Sequence, residues 1–157
     1  MHNDQPFAAA VKRDFRHAVR LSLRIVSDLF HAAIELALAR VRLSSRKSRK
    51  LLGSIPASAV SGPAPPKRED IDALVDRVSF AIPRMSSRVP WRADCLVQAL
   101  AAQRWLGSRG VVSSIVVGVS KPMPEDFKAH AWLMAGDRIV TGDQADTYTT
   151  IFKQPSD

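Results

Sequence analysis

The chain has a single cysteine in 157 residues. A lone thiol excludes an internal disulfide framework and fits a reducing compartment. No apolar run approaches the roughly 18–20 residues needed to span a bilayer. The N-terminus also lacks the basic start, unbroken apolar stretch and small-residue cleavage site of a secretory signal. The expected location is the cytoplasm. No P-loop, zinc-finger or dinucleotide-binding pattern is present. The histidines stand apart, at His2, His17, His31 and His130, so no metal-ligand cluster gathers. Neither a metal nor a cofactor is expected. Internal repeats are absent.

What the chain does have is apolar material and basic charge. Hydrophobic residues make up 46% and charged residues 24%, enough for a real core and too apolar for disorder along the whole length. The net charge is +8, and almost all of it lies before residue 54. A basic segment of this kind invites nucleic acid or an anionic surface as partner. The remainder is nearly neutral, and no nucleic-acid motif accompanies the charge, so nucleic acid is not expected.

Three regions follow one another. Residues 1–52 form a basic helical segment: Pro and Gly are missing between Phe7 and Leu52, and apolar residues recur every three or four positions. The length favours two helices or one bent helix over a straight rod. This segment either packs its apolar stripe on the rest of the chain or offers it to a partner. Residues 53–68, rich in Pro, Ser and Gly, read as a linker. Residues 69–157 form the third region. In it Asp70 is the expected N-cap of a helix that Pro83 ends or kinks. A second helix follows Pro90 and stops at Gly107–Gly110. Strands are expected over 111–119, 129–135 and 138–142, the last two joined at Gly136–Asp137.

The chemistry-bearing candidates lie in this third region. Cys95 sits in the first turn of its helix, where unpaired amides and the helix dipole favour a thiolate and can hold an oxyanion. Arg92 adds positive charge nearby. A lone helical Cys is also a common small core residue, and His130, opening a strand in Ala-His-Ala-Trp, has an equally plain core reading. Register links His130 to a carboxylate. With a two-residue turn at Gly136–Asp137, Ala135 opposes Arg138, Met134 opposes Ile139, Leu133 opposes Val140, and His130 opposes Asp143. Directly opposed side chains have Cβ atoms about 4.5–5.5 Å apart, so Asp143 could fix the imidazole tautomer. A longer loop would shift the register by one and make Asp146 the substitute. Asp94 would disfavour a thiolate and receives no catalytic role. Trp91 and Trp132 are candidates to shape a pocket, or are simply core.

The stretch DCLVQALAAQRWLGSRG from Asp94 to Gly110, the apolar strand after it, Ala129-His130-Ala131-Trp132 and Asp143 together resemble a known family. They are similar to the lasso-peptide leader peptidases, the stand-alone transglutaminase-like B proteins of lasso-peptide biosynthesis. The resemblance covers about residues 70–150. The family's usual Pro-Arg after Cys-Leu is replaced by Val97 and Gln98. The resemblance implies an α+β fold, a transglutaminase-like (papain-like) cysteine peptidase core with a small antiparallel sheet, preceded here by N-terminal helices. It implies Cys95, His130 and Asp143 as catalytic residues. It also implies a leader–core precursor peptide as substrate, a separate leader-recognition protein and an ATP-dependent lasso cyclase as partners. Two other readings stand beside it: an acyltransferase or amidase with the same triad, and a non-enzymatic basic adaptor acting through residues 7–51.

Overall fold

A computed structural model describes residues 5–44, 67–120, 128–142 and 147–154, and within the first helix the side chains from Arg20 onward. The element order is α1 (Gln5–Ser44), α2 (Arg68–Ser86), α3 (Cys95–Gly107), β1 (Ser114–Ser120), β2 (Ala129–Ala135), β3 (Arg138–Thr141) and β4 (Tyr148–Lys153). The strands form one antiparallel sheet in the order β3-β2-β1-β4. Three helices ahead of such a sheet make an α+β fold. The helix α1 is continuous, so of the two alternatives expected from its length the pair of helices is excluded and a single helix stands. Most of the expected linker, residues 53–66, lies outside the described residues.

α3 lies at the centre. It contacts α1 and α2 on one side and β1, β2 and β3 on the other. Its sequence suits that position, because Ala99, Ala101 and Ala102 are fully buried and let neighbours approach closely, while Val97, Trp105 and Leu106 fill the gaps. Ala32, Leu36 and Ala39 of α1, Val75, Val78, Ala81 and Ile82 of α2, and Ile115, Leu133 and Val140 of the sheet complete one core. The polar ends of α3 are tied down as well. The side-chain amide of Gln103 donates to the Ser113 carbonyl at 3.2 Å and to Gln154 Oε1 at 2.7 Å. The Gln154 backbone N–H in turn donates to the Ile115 carbonyl.

Two buried carboxylates fasten α1. Glu35 accepts from Arg104 Nε at 2.7 Å, and Asp28 accepts from Arg77 Nε at 2.9 Å. The hydrogen bond that Arg77 donates to Asp28 raises the guanidinium above its ordinary value, against the cost of burial. His31 stacks on Trp105 with ring centroids 4.4 Å apart. Each such group would be costly to bury without its partner.

Two expectations about α2 are corrected. Asp70 is not the N-cap: the cap residue is Lys67, whose side chain makes no capping bond. Glu69 and Asp70 stand inside the first turn, where their charge favours the helix dipole. Nor does Pro83 end the helix, which continues to Ser86. Pro83 is exposed while Ala81 and Ile82 are fully buried, so core packing holds the last turn in spite of the hydrogen bond that proline removes.

Because Leu36 is fully buried and Phe30 is exposed on the same helix, truncating them should differ sharply. Leu36→Ala should lower unfolding stability by about 2–5 kcal/mol, and Phe30→Ala by about 0.5 kcal/mol or less, as read by urea denaturation.

Candidate active site

Cys95 is the first residue of α3, is half-buried and is not in a disulfide. The reason the helix begins there is Asp94. It stands at the N-cap in extended conformation, and its Oδ1 accepts from the Val97 amide at 3.3 Å. Its carbonyl takes the Gln98 amide at 3.0 Å, and Gln98 folds its side chain back to donate to the Ala93 carbonyl. These bonds leave the amides of Cys95 and Leu96 without a hydrogen-bond partner among the described residues. Two unpaired N–H groups at a helix start are the donor set that an oxyanion requires. Asp94, set aside at the sequence level, therefore has a structural task. The signal for it was present, since Asp directly before an apolar helix is a favoured cap.

His130 is the second residue of β2 and pairs with Gly118 of β1. Strand alternation gives it the same face as Trp132. Its ring lies 4.9 Å from that of Tyr148 and 6.1 Å from that of Trp132, stacked on both. Gly118 makes room for this group: a Cβ there would stand 2.9 Å from Tyr148 Cβ and 3.0 Å from Trp132 Cη2. Trp132, a candidate for either pocket or core, is buried and forms one wall beside the imidazole. Tyr148 was not anticipated, because β4 was not. The run Tyr148-Thr149-Thr150-Ile151-Phe152, aromatic and β-branched, was the available signal.

His130 Nε2 is buried and has no hydrogen-bond partner among the described residues. In particular it makes no hydrogen bond with Cys95. The residues that alternate with it, Leu133 and Ala135, are the ones that join the helix core. His130 thus lies on the sheet face turned away from the helix core, Cys95 starts the helix packed on the opposite face, and the structure does not bring the two side chains together. Trp91 is half-buried, four residues before Cys95, and its Nε1 is likewise buried without a partner.

The register argument for Asp143 needs correction. The turn is as expected, with Ala135 opposite Arg138, Met134 opposite Ile139 and Gly136 at φ +61°. One step later a bulge intervenes, and Leu133 pairs with Thr141 instead of Val140. Val140 and Thr141 are both buried, one on each side of the sheet's irregular step. Among the described residues the ladder ends at Thr141. Asp143 and Asp146 themselves lie outside the described residues.

Gly142 explains why the strand stops. Its φ is +86°, and a Cβ on it would lie 2.6 Å from Trp132 Cβ and 2.8 Å from the Ala131 carbonyl oxygen. Only glycine suits this close crossing of the strand that carries His130.

Residues 18–153 match the transglutaminase-like superfamily. The chain belongs to that superfamily. The match runs from within α1 to the end of β4, so the first helix from residue 18 falls within the transglutaminase-like region. No curated protein and no solved structure matches the chain. Transglutaminase-like proteins include cysteine peptidases and acyltransferases, and this superfamily's fold commonly serves cysteine-dependent enzymes. Among the described residues no group of His, Cys, Asp or Glu could hold a metal ion, and no helix is long and apolar enough to cross a membrane.

Gly142→Ala should destabilise the fold by about 1–3 kcal/mol through clash and positive φ. A shift of the urea midpoint measures it, and an unchanged midpoint would show that the crossing has slack.

Proposed function

We propose that the protein is a cysteine peptidase that removes the leader from a lasso-peptide precursor during maturation of a ribosomally made natural product. The observation that carries the peptidase reading is Cys95 as the first residue of α3, beside two unpaired amides, in a chain of the transglutaminase-like superfamily. The lasso-peptide reading rests on the Asp94–Gly110 stretch and on Ala129-His130-Ala131-Trp132. The pairing of Cys95 with His130 rests on the resemblance: Cys95 heads the helix packed on one face of the sheet, and His130 stands on β2 with its ring on the other face, beside Trp132 and Tyr148. Hydrogen bonds between such groups are often formed only when substrate is bound.

In the proposed reaction the Cys95 thiolate attacks the scissile carbonyl, and the amides of Cys95 and Leu96 hold the oxyanion. The imidazolium of His130 gives its proton to the leaving amine as the C–N bond breaks, leaving a thioester on Cys95. His130 then takes a proton from water, the hydroxide attacks the thioester, and the leader departs with a new carboxylate as the thiol is restored. Asp143, or Asp146 in its place, steadies the imidazolium. The freed α-amine of the core is the substrate of a separate ATP-dependent cyclase, which joins it to an acidic side chain. A separate recognition protein presents the leader. A free thiol at Cys95 suits this work in the reducing cytoplasm.

The test is a leader–core peptide incubated with the full chain and a leader-recognition protein, followed by mass spectrometry. Cleavage to two fragments is expected. Cys95→Ala should abolish it and leave the circular dichroism spectrum unchanged, and His130→Asn should lower kcat by about a thousandfold or more. Asp143→Asn should cost far more than Asp146→Asn if Asp143 is the orienter. A product in which the leader is joined to an added amine would make the protein an acyltransferase instead. Cleavage retained in Cys95→Ala ends the proposal.

A further inference from the structure

α1 buries one side and leaves the other bare. From Asp28 onward its inner side carries Ala32, Leu36 and Ala39, all buried. The outer side carries Leu23, Val26, Phe30, Ile34 and Val41, each between 45% and 69% exposed. Their spacing of three or four, with one longer step, draws a single stripe about 27 Å long. Isolated exposed apolar residues need no explanation, but a continuous row of this length does.

The charges beside the stripe are of one sign. Arg20, Arg24 and Arg40 lie on this helix, and at 100° per residue they fall on both flanks of Phe30. The acidic residues between 20 and 44 are Asp28 and Glu35, and both are buried and bonded to Arg77 and Arg104. From Arg20 to Ser44 the outer side of α1 is consequently apolar and cationic, with no carboxylate among the described side chains.

We propose that this face docks the protein on an anionic phospholipid surface. A second copy of the chain paired through the same face would bring two rows of arginine together without compensation. A lipid surface supplies what the face lacks, a plane of phosphate above hydrocarbon along the whole stripe. Phe30 and its neighbours would enter the acyl boundary, and the guanidinium groups would rest among the phosphates on either side. The helix lies in that plane and does not cross it, in line with its insufficient apolar length. This surface is separate from Cys95 and does not depend on the peptidase reading.

The test is co-sedimentation of the full chain with phosphatidylcholine vesicles, with and without phosphatidylglycerol. Binding is expected only with phosphatidylglycerol, and it should weaken as salt is raised. Phe30→Asp should reduce affinity about tenfold or more, and Arg24→Gln about fivefold, with the urea midpoint of each unchanged. No binding to the anionic vesicles overturns the proposal, whether or not the protein instead forms a dimer that Phe30→Asp dissolves or binds an acidic amphipathic peptide. Equal binding to both vesicle types, or binding indifferent to Phe30→Asp, overturns it too.

Discussion

Burial of α3 between two helices and a sheet is the constraint on which the rest depends. A helix enclosed on both sides needs small residues, and Ala99, Ala101 and Ala102 supply them. A helix that cannot tilt or slide also has a fixed first residue. The Gln103 amide sets its axial position against β1, and the Asp94 cap sets where it starts. Cys95 is thus placed by packing and hydrogen bonds that are independent of the chemistry proposed for it. A reactive group held this way costs little to order when substrate arrives.

The same logic runs through α1. Its carboxylates at Asp28 and Glu35 are spent on Arg77 and Arg104, which orients the helix against α2 and α3. That choice strips the outer face of negative charge. Fold stability and surface character are therefore linked: the residues that fasten the helix are the ones that leave its far side cationic.

Local patterns in the sequence were sufficient for much of this. The boundaries of β2 matched because alternation and a Gly-Asp turn mark them clearly, and α3 stopped at a glycine as expected. The misses share a different cause. Pro83 sits inside α2 because burial of its neighbours outweighs its local preference, and propensity alone does not register burial. The bulge at Val140–Thr141 depends on Gly142 crossing Trp132, a contact across strands that no local pattern reports. That one bulge moves Leu133 from its expected partner Val140 to Thr141. β4, which brings Tyr148 onto His130, joins the sheet beside β1 at its far edge, so its pairing is equally non-local.

The central claim is that Cys95 and His130 work as a pair, although each is held by its own neighbours. Formation of a leader thioester on Cys95 from a leader–core peptide, trapped by acid quench and read by intact mass, tests this most directly in the full chain. The account predicts that His130→Asn slows thioester formation about a thousandfold or more while the urea midpoint stays unchanged. Thioester formation at the same rate in both proteins would contradict it.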